Sequence, residues 1–511
     1  MSSNSIYSQV ILSKTGIEIP VLKNGKTVDS RYDPERESSR LLETIKPDSH
    51  FIIVTGIASG TLINVILQNR SDIFILGVEK SQDDIEFLKQ LKIVKELSGN
   101  KRIAFCTIQE LQNKIIELYV PAFYGSLQVI EQRGWSLENA DCIPSINESI
   151  NKATGIVSAD YSVQCHFGKL WQHNILSNLK YIEKSGYPKA LPVEKTAIIF
   201  AAGPSVDNTI KTISSNPQEY FIIATDTALS ILTSYNIIPD AVVSIDGQNI
   251  SNVHFIHNLK YDLSKTLFLF DLCANSSAVK TIINNNGNLC FFTSGHPFCE
   301  YINRHFSLEL PSIFSGAGTV TISAVDFAIK AGFKRIQVAG ADFSYLSGKP
   351  YAKGTYLDRI YNQKSNKLNS IQKQFSGLEY RTELISTDNS YTTQILQAYK
   401  FSFESYLQNN GFKFTKDDSI YTITDMQAQR NVFKFPEIIK FNGKQILEEL
   451  KNIYSAKTGP KSFDSIYELA ESDISLLPLI SWLRNNDNKE RTNFMDFYEE
   501  ALNLFKKLGG N

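Results

Sequence analysis

The sequence predicts an α/β protein organised around a Rossmann-like parallel sheet, and three observations carry that prediction. The middle of the chain holds short apolar runs that each end at a small or acidic residue. These are Ala197-Ile-Ile-Phe-Ala201 before Gly203-Pro204-Ser205, Tyr220-Phe-Ile-Ile-Ala224 before Thr225-Asp226-Thr227, Ala241-Val-Val-Ser-Ile245 before Asp246-Gly247, and Arg335-Ile-Gln-Val-Ala339 before Gly340-Ala341-Asp342. Helical patterns separate the runs, so they read as buried parallel strands and not as hairpins. A smaller arrangement of the same kind precedes them near the N-terminus. In open sheets of this type ligands sit beyond the carboxyl ends of the strands, which is where the polar residues fall.

The first such unit is expected over residues 1–125. Phe51-Ile-Ile-Val54 meets Thr55-Gly56-Ile57-Ala58-Ser59-Gly60 and then an amphipathic helix, and a second strand, Ile73-Phe-Ile-Leu-Gly-Val78, ends at Glu79. An acidic residue after the second strand is where dinucleotide and adenosylmethionine enzymes hold a ribose. Gly56 and Gly60 are spaced GxxxG, however, and lack the middle glycine that lets backbone approach a pyrophosphate. A structural Rossmann-like domain is the competing reading. Residues 126–190 lose strand character and read as a helical connector, with Trp171–Glu183 helical, closed by Tyr187-Pro-Lys-Ala-Leu-Pro192. The central domain spans 191–400. Residues 401–511 read as mainly helical, with apolar residues at helical spacing in Gln445–Leu450 and Asn493–Leu508.

Composition narrows the function classes. At 511 residues two to four domains are expected. Lys plus Arg total 52 against 53 Asp plus Glu, so no global field would draw the chain to nucleic acid or an anionic membrane. The six cysteines, at 106, 142, 165, 273, 290 and 299, form no CxxC pair and are too sparse for a disulfide framework, which predicts reduced thiols in a cytoplasmic protein. Neither a signal peptide nor a membrane span is expected.

Three elements of the central domain carry the chemistry. Gly203 permits close ligand approach, and Pro204 and Ser205 suit a helix entry whose unpaired amides can hold phosphate. A plain strand-to-helix turn is the alternative. The second glycine-rich turn, Phe314-Ser315-Gly316-Ala317-Gly318-Thr319, offers amides and two hydroxyls to phosphate or ribose oxygens, and it is no P-loop because GxxxxGK[ST] is absent. The third is Asp342 at a strand end, trailed by Tyr345, Tyr351 and Tyr356. The carboxylate can accept from ribose hydroxyls or a base, and the tyrosines can donate to phosphate as a lid. Asp226 and Asp246, also at strand ends, are the residues that a divalent metal such as Mg²⁺ would use, although two separated carboxylates do not establish one.

Phe200-Ala-Ala-Gly-Pro-Ser205, Ala224-Thr-Asp-Thr-Ala228 with Ile238-Pro-Asp-Ala-Val-Val-Ser-Ile-Asp246, Ser315-Gly-Ala-Gly-Thr319 and Gly340-Ala-Asp-Phe-Ser-Tyr345 resemble the motility accessory factor family, which attaches nonulosonic acids to flagellin. The same motifs resemble the family 42 bacterial sialyltransferases. That resemblance implies a CMP-sugar donor site lined by Gly203, Ser205, Asp226, Ser315, Gly316, Gly318, Thr319 and Asp342, with Tyr351 and Tyr356 approaching the phosphate. It implies CMP-nonulosonic acid and flagellin as partners and Ser or Thr hydroxyls as acceptors. Those sialyltransferases carry a histidine base after the strand-end Asp segment, whereas all seven histidines here, at 50, 166, 173, 254, 257, 296 and 305, precede it. The base therefore cannot be carried over, and Asp246 is the leading candidate. The central domain also resembles the archaeal 6-hydroxymethyl-dihydropterin pyrophosphokinase, which implies ATP and Mg²⁺ with Asp226 and Asp246 as ligands. A non-catalytic flagellin-binding chaperone is the third reading.

Overall fold

The computed structural model describes residues 5–188, 190–316, 319–346, 348–387, 390–417, 419–424, 442–457, 463, 465–487 and 491–508. They fall into two compact units, residues 1–169 with 453–511, and residues 170–452. This division differs from the four segments 1–125, 126–190, 191–400 and 401–511 expected above.

The first unit opens with an antiparallel hairpin, β1 (Tyr7–Leu12) and β2 (Glu18–Leu22). A four-stranded parallel sheet follows, β3 (Ser49–Thr55), β4 (Phe74–Glu79), β5 (Ile103–Thr107) and β6 (Ser126–Glu131), in the order β5-β4-β3-β6. Both central strands are buried along their whole length, as their unbroken apolar runs require. Strand β6 corrects the expected boundary at 125. It is an edge strand with a half-buried pattern, so Ser-Leu-Gln-Val-Ile-Glu lacks the continuous apolar run by which buried strands are recognised. The helices Leu477–Asn485 and Phe494–Leu508 complete this unit. Arg484 donates to the Ala122 and Phe123 carbonyls at 2.8 and 3.2 Å, and the Phe123 and Phe494 rings lie 4.5 Å apart.

The helix Ile143–Leu179 is longer than the expected Trp171–Glu183 and ends four residues earlier. The second unit contains six parallel strands, β7 (Thr196–Phe200), β8 (Tyr220–Thr225), β9 (Ala241–Ser244), β10 (Leu267–Asp271), β11 (Asn288–Phe292) and β12 (Ile336–Ala339). A short antiparallel pair, β13 (Ile385–Ser386) with β14 (Tyr391–Thr392), follows. The strands β15 (Lys413–Asp417) and β16 (Ile420–Thr424) then join the main sheet antiparallel to β12. The full order is β11-β10-β9-β8-β7-β12-β16-β15. Residues 413–424 are therefore sheet, where a mainly helical segment was expected. Period-two alternation in Ile420-Tyr-Thr-Ile-Thr, with Tyr421 and Ile423 buried, is the signal that identifies β16.

The helix Val320–Lys330 packs beneath this sheet. Ile322, Val325, Phe327 and Ile329 join Ile199, Ile223, Val243 and Val338 in one buried cluster. The polar strand ends are thereby held at fixed positions along one rim.

Candidate functional site

Strands β7 to β11 are laid down successively in one direction, and the chain then returns to place β12 on the other side of β7. The carboxyl ends of β7 and β12 therefore flank a topological switch point, the place where open α/β sheets form a crevice. Two of the motifs meet there. The Ser205 N–H donates to Asp342 Oδ2 at 2.9 Å, and the Ser205 hydroxyl donates to Oδ1 of the same carboxylate. The Gly203 N–H donates to the Gly340 carbonyl at 2.9 Å. A β-carbon on Gly203 would fall 2.5 Å from Asp342 Oδ2 and collide with the Gly340 carbonyl, so the close approach of the two loops demands glycine. Burial raises the pKa of Asp342, while the two Ser205 bonds pull it down. Lys416 on β15 also lowers it, a cation that the sequence reading missed because β15 was not recognised as part of the sheet.

The segment carrying Tyr351 and Tyr356 runs from the loop after β7 past the helices that follow β8 and β9. Ala352 N–H donates to the Ala202 carbonyl, just after β7, at 2.8 Å. Gly354 lies against Ser230 and Ser234 of the helix that follows β8. Tyr356 stacks edge-on against His254 of the short helix after β9, with ring centroids 4.9 Å apart. Burial pushes the Tyr351 phenol up to about 12, with Tyr356 and Asp226 adding to the effect. Tyr356 is raised by burial, then by Tyr361, Asp246 and Asp226. Both phenols therefore remain protonated donors at neutral pH, as contacts to a phosphate require.

Asp226 is buried at the start of its helix. Its Oδ2 accepts from the Ser244 hydroxyl at 2.7 Å, and its Oδ1 accepts from the Thr227 N–H at 2.7 Å. Asp246 is half-exposed, and its Oδ1 accepts from the Gln248 N–H at 2.9 Å, the geometry of a turn cap. His254 is buried, and its Nδ1 has no partner.

The second glycine-rich turn stands apart from these groups in its contacts. Ser315 Oγ reaches the Ser294 carbonyl at 3.5 Å, the Phe314 N–H donates to Asp326 at 2.6 Å, and the Phe314 ring stacks on Tyr406 at 5.1 Å. Thr319 caps its helix by accepting from the Thr321 N–H at 3.3 Å. A β-carbon on Gly316 would strike the Phe314 ring, so that glycine answers to local packing. Gly318 lies outside the described residues.

The N-terminal crevice is closed by the chain itself. Glu79 is fully buried and accepts from the Tyr7 hydroxyl at 3.0 Å, the Ile57 N–H at 2.6 Å and the Trp135 indole N–H at 2.7 Å. The Trp135 side chain lies where a β-carbon on Gly56 would sit, 2.6 Å from it. This carboxylate serves the fold, in keeping with the structural reading of the GxxxG turn.

Comparison with known proteins bears on the fold. A family model described as 6-hydroxymethylpterin diphosphokinase MptE-like matches residues 173–348. The solved Maf glycosyltransferase from Magnetospirillum magneticum AMB-1 superposes with a TM-score of 0.51 over 99% of this chain and 87% of that one, at 11% identity. The resemblance to the motility accessory factors is thus one of fold. Three uncharacterised proteins of Treponema pallidum (strain Nichols) are similar in sequence. The first is 39% identical over 146 residues, 28% of this chain and 51% of that protein. A further one is 27% identical over 217 residues, 36% of its length, so the chain spans about half or less of these two relatives. With the remaining protein it shares 34% identity over 172 residues, 31% of this chain but 81% of that one, and the chain belongs to the same family as that Treponema pallidum protein.

Proposed function

We propose that this chain is a glycosyltransferase that moves a nonulosonic acid from a CMP-activated donor onto Ser or Thr hydroxyls of flagellin. The observation that carries the reading is the Ser205–Asp342 pair at the switch point, with a tyrosine-bearing segment that bonds the adjoining loop after β7 and runs on past the helices after β8 and β9. A nucleotide leaving group bears much of the driving force, so the protein's task is to position the donor, stabilise phosphate charge and accept the acceptor's proton. Tyr351 and Tyr356 are suited to the second task. Asp246 is the proposed base, and Asp226, tied to Ser244, positions the strand end.

The match of residues 173–348 to the pterin diphosphokinase model favours a second reading. In that reading Asp226 and Asp246 hold Mg²⁺ and the donor is ATP. Two measurements on the full chain separate the readings. Calorimetry with CMP and with ATP plus Mg²⁺ identifies the nucleotide. Intact-mass analysis of flagellin co-expressed with the chain and a CMP-nonulosonic acid pathway tests transfer. Binding of CMP and a discrete sugar-sized increment on flagellin are expected. Tight binding of ATP with Mg²⁺, no binding of CMP and unmodified flagellin would replace this proposal with the second.

A further inference from the structure

Strands β10 and β11 are parallel neighbours, so the turns that follow them meet on the same rim of the sheet. The first turn brings Cys273, and the second brings His296 and, one helical turn onward, Cys299. All three side chains are buried, and both sulfurs and a ring nitrogen lie within 4.8 Å of one another. The sulfurs are 3.6 Å apart. Two thiolates each about 2.3 Å from a tetrahedral zinc ion stand roughly 3.8 Å apart, whereas a disulfide would bring them to about 2 Å. The spacing is that of a shared ligand set.

Two unpartnered polar atoms at the cluster point the same way. His296 Nε2 is buried without a hydrogen-bond partner, and so is Oε1 of Glu300, the residue beside Cys299. The Asp271 carboxylate accepts from the Cys273 N–H at 2.8 Å on the same turn. Unpaired buried polar groups cost stability, and coordination of a cation by the imidazole, with the ring proton moved to Nδ1 where Nε2 is the ligand, removes one of them.

We propose that Cys273, His296 and Cys299 form a binding site for a thiophilic divalent cation of the zinc type, with the fourth coordination position open to water. The ligand set is sulfur and nitrogen, which selects against Mg²⁺. The site is thus separate in chemistry from any Mg²⁺ at Asp226 and Asp246. Burial already holds the His296 ring neutral, down to about 3, so it needs no deprotonation. Burial raises both thiols, and a cation reverses this by stabilising the thiolates. Binding therefore breaks two S–H bonds and releases two protons per ion to solvent. Nδ1 of His296 accepts from the Phe298 N–H at 3.2 Å, and coordination through either nitrogen gives up that one neutral bond. The helix Ile143–Leu179 braces the first turn, with Asn174 donating to the Cys273 carbonyl at 3.1 Å and Asn178 to the Leu272 carbonyl at 2.9 Å.

The test is titration of the reduced, chelator-treated full chain with Zn²⁺ and with Co²⁺. One equivalent bound, about two protons released and a thiolate-to-cobalt charge-transfer band are expected. Cys273→Ser and Cys299→Ser should each weaken Zn²⁺ binding about 100-fold or more and reduce the band, His296→Gln should weaken it about 10-fold, and Cys106→Ser should leave both unchanged. If a cysteine variant fails to fold, the wild-type band still decides, because its intensity reports the thiolates bound. Absence of uptake by the reduced wild type overturns the proposal, as does uptake that Cys273→Ser and Cys299→Ser leave intact.

Discussion

Ser205 donates both its backbone N–H and its hydroxyl to the carboxylate of Asp342, joining the loop after β7 to the loop after β12 across the switch point. The pair lies 137 residues apart in sequence and forms one wall of the proposed donor site. Asp342→Asn keeps the shape but can accept only one of the two bonds. It is expected to destabilise the chain by about 1–3 kcal/mol and to weaken CMP binding about 10-fold or more. Urea unfolding and calorimetry on the same variant check both. Unchanged stability with full CMP affinity would remove Asp342 from the site.

Gly203→Ala should be more damaging than its size suggests. The added methyl meets the Gly340 carbonyl and Asp342 Oδ2, and backbone cannot move aside as a side-chain tip can. A loss of about 1–3 kcal/mol is expected, together with loss of CMP binding. A contrasting substitution, Gly155→Ala, adds its methyl where nothing lies within 4 Å and should not destabilise the chain.

The base is tested by comparing Asp246→Asn with His254→Gln in single-turnover transfer at saturating CMP-sugar. Asp246→Asn is expected to lose about 100-fold or more, the usual size for removal of a general base. His254 packs edge-to-face with Tyr356 and should cost less. If His254→Gln loses about 100-fold while Asp246→Asn stays near wild type, the role belongs to the histidine.

Glu79 gives a pH signature unconnected with transfer. Burial pushes it up to about 7, so in the folded chain it holds a proton that the unfolded chain has released above its ordinary range. Its contribution is therefore most favourable in acid, and stability falls as pH rises from about 4.5 to about 7, by up to roughly 3 kcal/mol. Asp29, pushed up to about 6 by burial, acts in the same direction. Glu79→Gln should flatten this part of the stability profile, measured as the difference in urea midpoint between about pH 5 and about pH 8. A variant whose profile parallels wild type would show that Glu79 is ionised throughout.

The tyrosine segment offers a separate check on donor binding. Tyr351→Phe and Tyr356→Phe keep the ring packing and remove one donor each, so each is expected to weaken CMP binding by about 0.5–1.5 kcal/mol without lowering the unfolding midpoint. Unaltered affinity in both would mean that these hydroxyls do not reach the phosphate.

Local sequence determined the elements of the parallel sheet, because a strand buried on both faces must be apolar throughout and must stop where a polar residue begins. The runs at 197, 220, 241 and 335 became β7, β8, β9 and β12 for that reason, and Asp226, Asp246 and Asp342 fell at their ends. The same rule was available for Leu267-Phe-Leu-Phe-Asp271, which became β10 and placed Asp271 on the rim. Edge and antiparallel strands were less legible, since β6 and β15 expose much of their surface and carry no continuous apolar run. What only the tertiary structure decided was adjacency. Strand order set Asp342 beside Ser205, packing turned Trp135 onto Glu79, and parallel pairing of β10 with β11 brought Cys273 against Cys299 although they are 26 residues apart. Spacing along a chain encodes contacts within one element. Contacts between elements follow from the order in which the sheet is assembled, which no local pattern records.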